Sequence, residues 1–161
     1  MADAEFRIDG LDELTEQLRA LTETLNSRLE RAGQKIAQRI ERDAKEEVPV
    51  DKGELRASIR SAVDAVGRGL VEVRVGSSQE YAAAQEFGAD PFFPPVSALR
   101  DWARRVLGDE SAAFPVAKSI SETGLDAQPF LRPAFEENIQ FMLNTVNDAV
   151  TEAFADVGFD V

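Results

Sequence analysis

The stretch LDELTEQLRALTETLNSRLERAGQKIAQRIERDAKEEVP, residues 11–49, decides the fold. Leu11, Leu14, Leu18, Leu21 and Leu25 alternate steps of three and four; after one step of four, Leu29, Ala32 and Ile36 resume the pattern, and Ile40 and Ala44 extend it. Apolar residues at that spacing share one face of an amphipathic helix. Asp9 or Gly10 is placed to cap its start, and Asp12 and Glu13 suit the positive end of its dipole. Val48-Pro49 ends it, because the residue before a proline is pushed out of the helical region. At 1.5 Å per residue the helix reaches about 55 Å. That exceeds what a domain of this size needs for its own core, and a break near Gly33 would shorten it. Two roles are open: a helix laid across a sheet, or one that also packs against neighbouring subunits.

Downstream, Pro49-Val50-Asp51-Lys52-Gly53 is turn chemistry. Residues 54–59 open as a helical turn and residues 58–66 read as a strand. Gly67-Arg68-Gly69 is a tight turn, and in the strand after it Val71, Val73 and Val75 share one face. The expected unit is a β-hairpin with one buried face, packed on the long helix. Residues 81–86 give a short Ala-rich helix. The next segment, Phe87-Gly88-Ala89-Asp90-Pro91-Phe92-Phe93-Pro94-Pro95, cannot continue it. Ser97 is expected to cap a helix through Leu99, Trp102, Ala103, Val106 and Leu107, ended by Gly108. Residues 114–121 form a further short helix, ended near Gly124. Pro133 suits the first turn of a last helix, whose apolar stripe is Phe135, Ile139, Met142, Leu143, Val146, Val150 and Phe154. The expected class is therefore α+β: a small antiparallel sheet packed against a long N-terminal and a C-terminal helix, within one domain spanning residues 1–161.

Composition narrows the function. The 161 residues carry 18 Lys+Arg and 30 Asp+Glu, a formal charge of −12, with no His and no Cys. Without Cys there is no disulfide frame and no thiolate nucleophile or metal ligand. Without His there is no Ser-His-Asp triad, and zinc loses its commonest nitrogen ligand. The acidic balance opposes wholesale phosphate binding. It is also uneven: residues 1–80 hold 13 basic and 17 acidic side chains, residues 81–161 hold 5 and 13, and six carboxylates but no Lys or Arg follow Arg132. No run approaches the roughly 18 apolar residues of a membrane span. The acidic start, residues 1–7, lacks a signal-type apolar core.

Carboxylate pairs such as Glu46-Glu47, Asp109-Glu110 and Glu136-Glu137 invite a test for hydrolysis, which needs two acids converging on one centre. Adjacent helical residues point about 100° apart, so these pairs read as solvated surface. Gly67 and Gly69 lack the Lys-Ser/Thr continuation of a phosphate loop. The basic groups Lys52, Arg56, Arg60 and Arg100, Arg104, Arg105 read first as partners of nearby acids. No catalytic, cofactor-binding or metal-binding residues are assigned.

Three segments rise above composition: residues 44–59, with Val48-Pro49-Val50-Asp51-Lys52-Gly53-Glu54-Leu55-Arg56-Ala57-Ser58-Ile59 at their heart; Tyr81-Ala82-Ala83-Ala84-Gln85-Glu86-Phe87-Gly88; and Pro129-Phe130-Leu131-Arg132-Pro133-Ala134. In this order, across about residues 11–154, they resemble the tail-completion and head–tail connector (neck) proteins of long-tailed bacteriophages. That family carries Pro-Val-x-Thr-Gly-x-Leu-x-x-Ser-Ile, Tyr-Ala-x-x-x-Glu-Phe-Gly-Thr and Pro-Phe-Leu-x-Pro-Ala patterns. Lys52 and Ala89 depart from it where Thr is usual, and about residues 89–127 form an insertion found only in some relatives. The plain physical reading makes Pro49, Gly53, Leu55, Ser58, Ile59 and Tyr81 fold-defining corners, with Tyr81, Phe87, Phe130 and Leu131 closing the sheet's edge. The resemblance adds Glu86, Phe87, Gly88 and Pro129, Phe130, Leu131, Arg132, Pro133 as candidate subunit-contact loops.

What the resemblance implies is a non-enzymatic virion protein at the head–tail junction, present in the host cytoplasm during assembly. It would form a ring, six copies favoured, joining the portal or connector to tail-terminator or tail-tube proteins. No cofactor or membrane is involved, and DNA would pass without specific binding, helped by an acidic inner wall from Glu136, Glu137, Asp148 and Glu152. Two other classes remain as alternatives: an acidic DNA-mimic regulator of a basic nucleic-acid enzyme, and a carboxylate-dependent hydrolase.

Overall fold

A computed structural model describes residues 10–49, 51–67 and 69–158. Asp9 as a helix cap, Val50 and Arg68 as turn residues, the acidic residues 1–7 and Asp160 lie outside the described residues. The elements run α1 (Leu11–Glu47), α2 (Glu54–Ser58), β1 (Ile59–Gly67), β2 (Leu70–Ser77), α3 (Ala82–Phe87), α4 (Val96–Val106), a 3-10 turn (Glu110–Ala112), α5 (Ala113–Thr123), α6 (Leu131–Glu136) and α7 (Ile139–Asp156). The two strands pair as an antiparallel hairpin. The class is α+β, as the patterning requires. The chain divides into two compact units: Met1–Asp43, Arg60–Gly76 and Phe135–Val161 make the first, Ala44–Ile59 and Ser77–Ala134 the second.

In the first unit the hairpin packs on α1 at Gly33. The helix does not break there. A Cβ on Gly33 would lie 2.8 Å from Val71 Cγ1 and 3.2 Å from Val63 Cγ1, so the missing side chain is the groove that admits the strands. Ala32, Ile36, Ala37 and Ile40 are buried around it. Along β2, Val71, Val73 and Val75 are half-buried while Leu70, Glu72 and Arg74 face solvent, the alternation of a one-sided strand. Glu41 ties strand to helix, accepting from the backbone N–H of Ser61 at 2.7 Å and from its hydroxyl at 2.6 Å.

Helix α7 runs antiparallel to α1. Asn138 Nδ2 donates to Asp43 at 2.7 Å, the Arg39 guanidinium lies 5.5 Å from the Phe141 ring centroid, and Arg28 pairs with Glu152 and Asp156. Burial pushes the Asp43 carboxyl up, but hydrogen bonds from Asn138, Arg42 and Arg39 outweigh it and hold it below its ordinary value. The last helix is two helices, not one. Asn138, buried, sits at the junction, its side chain committed to Asp43 rather than to capping α7. The face of α7 is corrected as well. Asn138, Ala149 and Ala153 are buried and Met142 and Thr145 half-buried, whereas Phe135, Ile139, Leu143 and Val146 of the expected stripe are exposed. Small side chains let two helices approach closely, and that contact takes precedence over burying the bulky side.

In the second unit, Leu55 and Ile59 are buried and Gly53 holds φ 79 at the start of α2. Ser58 Oγ donates to the Leu55 carbonyl at 2.7 Å and lies 2.7 Å from Ser77 Oγ. Helices α4 and α5 pack through Ala103, Ala113 and Ala117, all buried. Pro95 rather than Ser97 precedes α4, since a fixed φ near −60° already suits a helix start. The α4–α5 excursion is stapled at its base. Ala89 and Leu125 exchange N–H···O bonds of 3.0 and 2.9 Å, as an isolated bridge.

Candidate functional site

The second and third motifs meet in the second unit around one carboxylate. Glu86, on the last turn of α3, is only 3% exposed. Its Oε2 accepts from the backbone N–H groups of Phe130 and Leu131, both at 2.8 Å, and its Oε1 from that of Arg132 at 2.9 Å. The chemistry follows from α6, whose first helical residue is Leu131. A helix start leaves four N–H groups without intrahelical partners. Here Glu86 takes three, and the fourth position is Pro133, which has no N–H. Burial pushes the Glu86 carboxyl up. The N–H groups of Leu131, Phe130 and Arg132, with the Arg132 charge, more than reverse this and hold it below its ordinary 4.5.

Two glycines lock the same corner. Gly88 has φ 77, and a Cβ there would stand 2.6 Å from the Leu125 carbonyl oxygen; Gly124 has φ 79, and its Cβ would stand 2.2 Å from the Ala89 carbonyl oxygen. Gln85 and Gln128 add a backbone and a side-chain hydrogen bond, each 2.8 Å. Sequence reading missed the Glu86 role. A lone Glu before Phe-Gly, with Pro two places after Leu131 deleting one donor, was the only signal it carried.

The candidate contact residues therefore divide. Glu86 and Phe130 are interior and hold the two loops together, so they offer no contact surface themselves. Phe87 is 72% exposed. Pro129 and Arg132 are also exposed, while Gly88, Leu131 and Pro133 are half-buried. Phe87 does not close an edge: its side chain faces solvent, because Glu86 rather than Phe87 is the side chain of this turn that points inward, and Tyr81 is 46% exposed.

The second unit exposes further large apolar side chains, among them Phe92, Phe93, Phe114, Val106 and Leu107. Phe93 and Phe114 meet edge to face with centroids 6.5 Å apart. Beside the first motif lies a cleft of about 910 Å³, bordered by Asp51, Lys52, Glu54, Tyr81, Trp102 and Arg105. Its charges answer one another: Arg105 donates to Asp51 at 2.6 and 3.1 Å. Burial, Glu54 and Asp51 push the Tyr81 phenol up despite a hydrogen bond with the Leu55 backbone. Arg104 pairs with Glu110 at 2.5 Å, and Asp109 accepts from Ser111 N–H at 2.8 Å. Among the described residues no three acidic side chains form a metal-ion cluster. No described helix is long and apolar enough to cross a membrane.

Residues 12–88 match the family model HK97-gp10-like, described as "Bacteriophage HK97-gp10, putative tail-component". This stretch is similar to that phage tail-component family. The match covers nearly all of α1, the first motif, the hairpin and the second motif, and it ends on Gly88, where the stapled excursion begins. The third motif lies beyond it, bound to the family region through Glu86. The similarity, over 77 of the 161 residues, is to a tail-related structural component. No curated protein and no solved structure matches the chain.

Proposed function

We propose that this protein acts at the head–tail junction, as a ring of copies that joins the portal or connector to the tail terminator or tail tube. Six copies are favoured. The observation that carries the reading is the outer face of α7. Residues 138–147 contain no charged side chain in a chain where 30% of residues are charged. On that run Ile139, Leu143 and Val146 are exposed, Leu143 at 61%. Loss of charge together with exposed apolar and aromatic residues is the composition of an interface core. A cyclic ring needs two different surfaces per copy, one for each neighbour. The α7 face and the loops carrying Phe87, Pro129 and Arg132 are our candidates for these.

The acidic side chains on α7 and just before it remain available to a lumen. Asp148 follows Ile139 by nine residues, about half a turn round the helix, so an apolar face on a neighbour leaves Asp148 pointing elsewhere. Glu136, Glu137 and Asp148 are exposed, while Glu152 is engaged by Arg28. Like charge would let DNA pass without specific binding.

The test is mass in solution, alone and with candidate portal, connector and tail proteins, followed by electron micrographs of any assembly. A closed ring on either partner supports the proposal. A chain that stays monomeric or dimeric with every such partner, yet inhibits a basic nuclease, replaces it with the acidic-regulator reading.

A further inference from the structure

Among the described residues, the packed layers of the first unit leave the start of α1 largely exposed. The hairpin turn meets it at Asn26, whose side chain accepts from the Gly69 N–H at 2.7 Å. The final turn of α7 meets it at Arg28, through Glu152 and Asp156. Residues 11–25 continue for about 21 Å beyond, at 1.5 Å per residue. Along that projection Leu11, Leu14 and Leu18 are 52%, 44% and 50% exposed.

The spacing changes where the cover ends. Over residues 11–25 the leucines alternate three and four, the 3.5-residue repeat of a coiled-coil seam, with Leu11, Leu18 and Leu25 at a and Leu14 and Leu21 at d. From Leu25 onward, over the covered part, steps of four predominate. The positions flanking the seam, e and g, are Thr15, Gln17, Thr22 and Thr24, none of them charged. The hydroxyls of Thr15 and Thr22 donate back to the Leu11 and Leu18 carbonyls at 2.8 and 2.9 Å, which satisfies them within the helix. All five charges of this stretch, Asp12, Glu13, Glu16, Arg19 and Glu23, fall at b, c and f.

We infer that residues 11–25 of α1 pair with the same residues of a second copy of this chain, leucine seam to leucine seam. For a chain of charge −12, self-association ordinarily meets like-charge repulsion. Here every carboxylate of the segment points away from the seam, and the flanks that set partner choice in coiled coils oppose nothing. Two heptads are short, so the seam holds best between copies already brought together, where the effective concentration is high. The inference deepens the ring reading by naming residues that meet, and rests on it only for the number of copies.

The absence of Cys makes the test direct. Residue 18 is the midpoint of the seam and faces its own counterpart in either helix direction. Purified full-length Leu18→Cys, oxidised mildly, should give a covalent dimer on a non-reducing gel, and Lys118→Cys should not. Leu11→Cys crosslinking to itself marks a parallel seam, and crosslinking to Leu25→Cys an antiparallel one; both support the inference. If Leu18→Cys crosslinks only with Leu143→Cys, α1 docks on the α7 face of a neighbour and self-pairing is overturned. Absence of any crosslink at residue 18 overturns it too. Dimers without rings in micrographs keep the seam and remove the ring; rings without the crosslink do the reverse.

Discussion

The two halves of α1 carry one continuous apolar stripe and end in opposite surroundings. Ala32, Ile36, Ala37, Ile40 and Ala44 are buried, whereas Leu11, Leu14 and Leu18, larger as a group, stand about half exposed. Burial here follows the neighbours a residue can admit, not its own hydrophobicity. Gly33 and the alanines leave room for strands and a second helix. The leucines leave none, and suit a partner of matching shape. Helix α7 repeats the contrast, with Ala149 and Ala153 turned in and Leu143 turned out.

The largest effect that would break this contrast is a charge in the covered half. Ile40→Asp, burying an unpaired carboxylate, should cost about 4 kcal/mol or more and leave little folded protein by circular dichroism. In dilute monomer, where no seam forms, Leu18→Asp should keep the wild-type denaturation midpoint.

Next comes the Glu86 corner, whose loops belong to the other unit. Glu86→Ala orphans three N–H groups and should cost about 3 kcal/mol, read from urea unfolding. The sign with pH is fixed. Its folded value lies below the ordinary 4.5, so its contribution is fully present above that pH and is lost as pH falls through the lowered folded value. Glu86→Gln should flatten this acid-side loss, leaving the part due to Asp43 and Asp109, whose values are also lowered. An unchanged acid midpoint would contradict the clamp.

Gly33→Ala is a smaller probe. The helix gains about 1 kcal/mol in propensity, but a Cβ 2.8 Å from a χ1-stiff valine pushes the hairpin out, an overpacking cost of about 1–3 kcal/mol. A net loss of about 1 kcal/mol is expected, and a stabilised variant would show that the hairpin seat gives way freely. Smallest of all, Leu143→Ala in dilute monomer should move the thermal midpoint by no more than a 0.5 kcal/mol change would, roughly the surface range. A buried leucine truncated in the same way costs about 2–5 kcal/mol, a result that would return α7 to its expected orientation.

Legibility tracked locality. The long helix, the hairpin and most helix ends rest on residues close in sequence, such as Val48-Pro49 or the alternation at Val71, Val73 and Val75, and they lie where patterning puts them. The break at Asn138 was hidden, because it depends on Asp43, 95 residues away. So was the Glu86 clamp, whose donors lie 44 to 46 residues on. The motif residues were visible, but which of them faced inward was not: Phe87 looks like the core residue and Glu86 takes the interior place.

By itself, then, the sequence determined the element types, the α+β class, the likeness of residues 12–88 to the tail-component family and the absence of His and Cys, since periodicity, turn residues and composition are local properties. Only the tertiary structure decided where α1 ceases to be covered, which side of α7 is inward and what Glu86 holds. Those outcomes depend on steric fit and unpaired N–H groups between distant segments, and no run of neighbouring residues records them.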